Sequence, residues 1–148
     1  MPDFSINSSA FGNGERIPRR YTCQGEDHSP ALQWSGSPAE TRSLALILED
    51  PDAPGGTFIH WVLYNLPPAL DHLDEGTGAS PTTGINSARR SGYMGPCPPP
   101  GRPHRYYWRL FALDLPADLE PGLSAAELRR RMQGHVLAEA QWMGTYQR

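Results

Sequence analysis

The sequence predicts a mainly β domain, and three observations carry that expectation. The chain has 148 residues, about the length of one domain, and a domain of this size buries roughly 68–70% of its unfolded surface without needing metal or disulfide staples. Its 16 prolines and 15 glycines make up about a fifth of the residues, against the ~12% of average usage. Between the Pro/Gly clusters recur short apolar, β-branched and aromatic runs, the pattern of a turn-rich β protein rather than of a disordered chain. There is no internal repeat and no linker long enough to separate two units.

Residues 1–42 are turn-rich. Short strands are expected at Phe4–Ile6 and Leu32–Trp34, set among Gly12, Gly14, Pro18, Gly25 and Pro30. Ser43–Glu49 is a continuous apolar run that stops at Asp50-Pro51, and its length favours a buried strand over a helix. Phe58–Leu66 and Tyr106–Leu113 are β-branched or aromatic and end at Pro67 and at Asp114 to Pro116. These three strands are the framework. Residues 70–92, small and polar with Gly76, Gly78, Pro81 and Gly84, read as one long loop, a length often given to function. Near the carboxyl end, Ser124-Ala-Ala-Glu127 has the form of a capping box, so a helix starts there. Leu128, Met132, Val136, Ala140 and Met143 follow at three- and four-residue spacing as a core-facing stripe, which Gly134 should break into one or two short helices.

Composition excludes several classes of function. No apolar run approaches the ~18 residues needed to span a bilayer. The apolar fraction is 38% and the mean hydropathy −0.55. Met1-Pro2-Asp3-Phe4-Ser5 lacks the basic and apolar segments of an export signal, which points to a cytoplasmic protein and makes Asn7-Ser8-Ser9 meaningless as a glycosylation acceptor. The net charge of −3 is scattered along the chain, without the basic footprint of a nucleic-acid binder. All 13 basic residues are arginine, which codon bias explains as well as phosphate recognition does. Cys23 and Cys97 are too few for a disulfide framework and lack zinc-ligand spacing, so they are expected as reduced thiols.

Polar chemistry gathers at the ends of the three framework strands. Strand parity places His60 on the face of Phe58, Val62 and Tyr64, where an imidazole is costly unless its nitrogens find partners. His104 and Tyr106 point the same way if their strand begins by residue 104. Asp50 has the parity of Leu46 and Leu48, and Pro51 and Pro54 then end the ladder, aiming one carboxylate at a strand end. If these strands are neighbours, Asp50, His60, His104 and Tyr106 line one small pocket. A carboxylate beside an imidazole fixes its tautomer and favours its cationic form, which suits a small anion. The proline-dense segment 96–103 supplies rigid walls, with the amides of Gly95, Cys97 and Gly101 as candidate anion contacts. A plainer account stands beside each feature. His60 alone reads as a satisfied core histidine, Asp52 and Arg105 as a structural ion pair, and Pro96–Pro103 as an ordered loop rather than an exposed polyproline ligand.

Together these residues resemble the phosphatidylethanolamine-binding proteins, also called Raf kinase inhibitor-like proteins. The resemblance rests on Asp50-Pro-Asp-Ala-Pro54, on His60 followed by Asn65, and on the segment from Gly95 to His104-Arg-Tyr106. It extends nearly end to end through Ile17-Pro18, Tyr21-Thr22-Cys23, Gly25, Ser29-Pro30, Leu32, Trp34, Gly92-Tyr93 and Gly144-Thr145-Tyr146, which follow the bacterial branch. The resemblance implies a β-sandwich of two sheets with peripheral short helices. It also implies one small-anion pocket lined by Asp50, Pro54, His60, Pro98, Pro99, His104 and Tyr106, with Gly95 shaping the loop. No catalytic residue, metal or cofactor is implied, and a homodimer is. The chain ends soon after Tyr146, without the extension of the eukaryotic members, so kinase inhibition is not carried over.

The leading expectation is therefore a non-enzymatic module for a small anion or phosphorylated headgroup, with His60, His104 and the Tyr106 hydroxyl as donors and Asp50 orienting one imidazole. The first alternative is an enzyme, either a hydrolase using Cys97 with His104 or a metal site of Asp50, His60 and His104. The second is an interaction protein that inhibits a kinase or protease.

Overall fold

The computed structural model describes residues 3–77 and 82–148. Gly78 and Pro81 of the expected loop lie outside the described residues. The described residues form eight strands and one α-helix. They are β1 (Ser5–Asn7), β2 (Leu32–Ser35), β3 (Ser43–Asp50), β4 (Phe58–Leu66), β5 (His72–Leu73), β6 (Thr82–Thr83), β7 (His104–Leu113), α1 (Ala125–Met132) and β8 (Val136–Tyr146), with one 3-10 turn at Arg19–Tyr21. The strands make two antiparallel sheets, β1-β2-β5 and β6-β4-β3-β7-β8. No helix among the described residues is long and apolar enough to cross a membrane.

The larger sheet is covered on both faces, which explains the unbroken apolar run of β3. All eight of its residues are buried. Leu44, Leu46 and Leu48 point toward the smaller sheet, where Ile6, Leu32 and Trp34 meet Trp61, Leu63, Trp108 and Leu110. Ala45 and Ile47 point the other way, into a second cluster with Val62, Tyr64, Phe111, Leu123, Leu128 and Met132 that seats α1. The helix begins as expected: the Ser124 hydroxyl accepts from the Glu127 amide, and the Glu127 carboxylate accepts from the Ser124 amide.

Three expectations need correction. The apolar stripe after Leu128 is not helical to its end. Gly134 adopts φ +83°, which stops the helix, and Val136 to Met143 belong to β8, where Val136 is 40% exposed. A three- and four-residue spacing that runs across a helix end and into a strand carries no meaning beyond the break. The 70–92 segment is not one loop: β5 and β6 sit in it as short sheet edges, and Ile85 bridges to Ser91 and Ser124. The cysteines are joined. Folding lays the Cys23 turn along the 96–103 loop, with the Cys23 amide donating to the Pro96 carbonyl at 3.1 Å. The two Cα atoms, 74 positions apart in sequence, come to 5.4 Å and form a disulfide. Nothing in their linear spacing displays that approach.

Candidate functional site

The pocket is built where β4, β3 and β7 run side by side and end. Asp50 is the last residue of β3 and pairs with Phe58, the first of β4, while Glu49 pairs with Tyr107 on the other side. Pro51 and Pro54 stop the ladder there, as the sequence indicates. Asp52 anchors the turn that follows: Arg105 donates to it from its backbone amide at 2.9 Å and from both Nε and Nη2, at 2.9 and 2.8 Å. This is the expected structural ion pair, and Arg105 holds the Asp52 carboxyl down to about 2.

A β-bulge sets the direction of His60. Leu48 pairs with Trp61 and Glu49 with Ile59, so His60 is an extra residue on β4. The bulge breaks the alternation of faces. Phe58 and His60 lie on the pocket side, but Val62 and Tyr64 face the helix, contrary to the simple parity reading. The same irregularity lets His60 and the core residue Trp61 serve one face of the sheet.

His104 and Tyr106 both project from the start of β7, two residues apart. The rings of His60 and His104 flank Tyr106, with centroids 5.4 and 6.5 Å from the phenol. His104 Nδ1 donates to Asp50 Oδ2 at 2.7 Å, while Asp50 Oδ1 accepts from the Asp52 amide at 2.8 Å. Both carboxylate oxygens are thus engaged, and His104 keeps Nε2 for the cavity. His60 Nδ1 donates to the Met94 carbonyl at 2.7 Å. Burial, at 4% exposure, pushes His60 below its ordinary 6.5 against the opposing pull of that carbonyl and of the Asp50 charge. The ring is therefore neutral near pH 7, and its Nε2 presents a lone pair rather than the donor expected from sequence. The Tyr106 hydroxyl is fully buried and has no hydrogen-bond partner among the described residues. Burial, and then the charge of Asp50 and the approach of its carboxylate to the hydroxyl, raise its pKa far above 10, so it keeps its proton as a donor.

The cavity holds about 300 Å³, at the small end of ligand sites. Seven of the eight expected residues line it: Asp50, Pro54, His60, Pro98, Pro99, His104 and Tyr106. Gly95 stands behind the wall. Its amide donates to Asp27 Oδ1 at 2.9 Å, which removes it as an anion contact. A Cβ there would lie 2.2 Å from that oxygen and 2.4 Å from the Tyr21 carbonyl, so only glycine fits. The 96–103 loop is ordered, as expected. Besides the disulfide, Arg148 Nε donates to the Pro98 carbonyl at 2.6 Å and Gln147 Nε2 donates to the Gly101 carbonyl.

Sequence reasoning did not place Ala53, Phe58 and Met94 in the lining, which they complete together with Cys97, expected as a candidate contact. Phe58 was within reach, since it lies two residues from His60 on one strand. Asp27, which fixes Gly95, gave no signal, because its partner is 68 positions away. No group of three His, Cys, Asp or Glu side chains among the described residues is arranged to hold a metal ion.

Comparison with known proteins agrees with this architecture. The family model for phosphatidylethanolamine-binding protein matches residues 7–147. A UPF0098 protein of Methanothermobacter thermautotrophicus is 48% identical, over 97% of this chain and 99% of its own. A UPF0098 protein of Aquifex aeolicus is 45% identical, over 97% and 88%. Among solved structures, a protein of Chlamydia trachomatis described as a phosphatidylethanolamine-binding protein homologue superposes with a TM-score of 0.94 at 42% identity, covering 100% of this chain and 99% of that one. Escherichia coli YbcL superposes with a TM-score of 0.92 at 29% identity, covering 99% of both chains. A family model that spans nearly the whole sequence, joined by relatives and structures that match from end to end, shows that this chain belongs to the phosphatidylethanolamine-binding protein family.

Proposed function

We propose that the protein is a non-catalytic binding module whose pocket takes a small anion, a phosphate or a phosphorylated headgroup. One observation carries this reading. The buried Tyr106 hydroxyl makes no hydrogen bond of good geometry, although the Asp50 carboxylate lies close enough to act on it, and its ring lies beside two imidazoles whose Nδ1 atoms are already engaged. Leaving such a donor unpaired in a folded interior costs about 1–3 kcal/mol, a penalty that a bound acceptor removes. His104 supports the same role, since its Nδ1 bond to the Asp50 carboxylate leaves Nε2 free.

The hydrolase alternative that uses Cys97 with His104 finds no support in this geometry. Cys97 is bonded to Cys23, and no serine, threonine or free thiol lines the cavity among the described residues to accept activation by His104. The expected cytoplasmic location and the Cys23–Cys97 bond pull in opposite directions, because such bonds persist in oxidising compartments. Thiol trapping in freshly lysed cells decides between them.

Calorimetric titration with inorganic phosphate and with phosphoethanolamine tests the binding reading. The wild type should bind at micromolar to millimolar concentration, and His104→Ala should lose at least about tenfold, the order expected for a charge-assisted hydrogen bond. Absence of binding would refute it, and steady release of phosphate from phosphoethanolamine would refute the non-catalytic part.

A further inference from the structure

The hydrogen-bonding character of the pocket wall is asymmetric, and the asymmetry bears on which anions fit. A carbonyl oxygen has no proton, so the 2.7 Å contact between His60 Nδ1 and the Met94 carbonyl requires the hydrogen on Nδ1. In the neutral ring Nε2 is then an acceptor. Burial opposes the second proton that would turn Nε2 into a donor, against the pull of the Met94 and Gly95 carbonyls and of two carboxylates. Phe58 packs edge-on at 4.9 Å, Tyr106 edge-on at 5.4 Å, and the ring is almost wholly buried. The carboxylates that act on it are Asp50 of β3, which accepts from His104 and the Asp52 amide, and Asp27, whose Oδ1 accepts from the Gly95 amide. Tyr106, packed against the ring, keeps a protonated hydroxyl as a donor. A ligand that is all acceptor satisfies Tyr106 and places lone pairs against His60.

We infer that His60 Nε2 is a fixed acceptor that makes the pocket select phosphates carrying one O–H, namely phosphate monoesters and hydrogen phosphate, over proton-free anions of the same shape, namely sulfates and phosphodiesters. The inference rests on reading the site as an anion pocket and deepens it. A phosphate monoester has its second pKa near about 6, so close to that pH about half of it bears the required proton. Sulfate monoesters and phosphodiesters bear none. A phospholipid headgroup, being a diester, is disfavoured against the free monoester by the same contact.

The test is a competition among near-isosteres on the wild-type protein at pH 6.5, where a ring held below 6.5 is mostly neutral and part of the phosphate monoester still carries its proton. Phenyl phosphate, phenyl sulfate and methyl phenyl phosphate share one apolar group, and inorganic phosphate and sulfate form a second pair without it. Phenyl phosphate should bind at least about tenfold more tightly than phenyl sulfate and methyl phenyl phosphate, the loss expected where an acceptor faces an acceptor in a buried site. Phosphate should exceed sulfate likewise. Preference for phenyl phosphate over inorganic phosphate supports an organic monoester set against Phe58 and Met94. The reverse supports inorganic phosphate as the occupant. Equal affinity for phenyl phosphate and phenyl sulfate would overturn the selectivity while leaving the anion pocket in place, whereas no binding of any probe would overturn both. In His60→Gln the side-chain amide can turn its NH2 into the cavity, so the ratio should fall toward one. An unchanged ratio in that variant would overturn the assignment to His60, and the wild-type comparison stands on its own if the variant does not fold.

Discussion

Replacing both cysteines, as Cys23→Ser with Cys97→Ser, perturbs a single bond that closes a long loop. The sequence separation is 74, and by the chain-entropy relation the unfolded chain regains about 15 cal/mol/K when the cross-link is removed, which lowers stability by about 4 kcal/mol at 25 °C. The folded state loses less, because the same loop remains held by the Cys23 amide on Pro96 and by the Gly95 amide on Asp27. Stability should therefore fall by several kcal/mol while phosphate affinity changes by less than about threefold, since the wall keeps its backbone ties. Urea denaturation of the two proteins reads the first quantity. With a slope of about 1–3 kcal/mol/M, the midpoint should drop by more than about 1 M. Calorimetry reads the second. A loss of stability below about 1 kcal/mol would refute the reasoning, because it would mean that the unfolded chain already holds the two segments together.

Tyr106→Phe removes a buried hydroxyl that has no protein partner, so the free protein should hold or gain stability in thermal unfolding while phosphate affinity falls about 10- to 100-fold; a less stable variant with unchanged affinity would contradict the role given to this residue. The His60 pKa in the folded protein lies below 6.5, so above that pH both folded and unfolded forms are neutral and the residue contributes nothing. As the pH falls through 6.5 the unfolded chain takes a proton that the buried ring refuses, and stability should decline until the folded value is reached. Urea midpoints between pH 7.5 and 5.5 should show a slope in the wild type that His60→Gln reduces, and equal slopes would count against it. Ser124→Ala breaks the capping box and should cost about 1 kcal/mol without touching phosphate binding, which denaturation and calorimetry check together.

The framework was legible because β3, β4 and β7 carry their own signals. Apolar or aromatic runs of strand length end at prolines, and the observed elements match them to within two residues. Asp50, His104 and Tyr106 converge for the reason that strand parity supplies. His60 reaches the pocket by a different route, since the bulge beside Leu48 and Glu49 depends on pairing between strands and leaves no mark on one strand's alternation. The disulfide and the Asp27 contact to Gly95 were illegible for a related cause. Each joins segments roughly seventy positions apart, and only the folded chain brings those together. At the carboxyl end Gly134 gave a correct warning of a break, but a stripe of apolar residues could not say that a strand lay beyond it.

Long-range proton–nitrogen NMR of the two pocket histidines, recorded while inorganic phosphate is added, reads anion binding at the ring nitrogens themselves. The account predicts that the Nε2 signals of His60 and His104 both move with one saturation curve, while the Nδ1 signals, held by Met94 and Asp50, stay near their starting positions. Unmoved Nε2 signals at millimolar phosphate would contradict it.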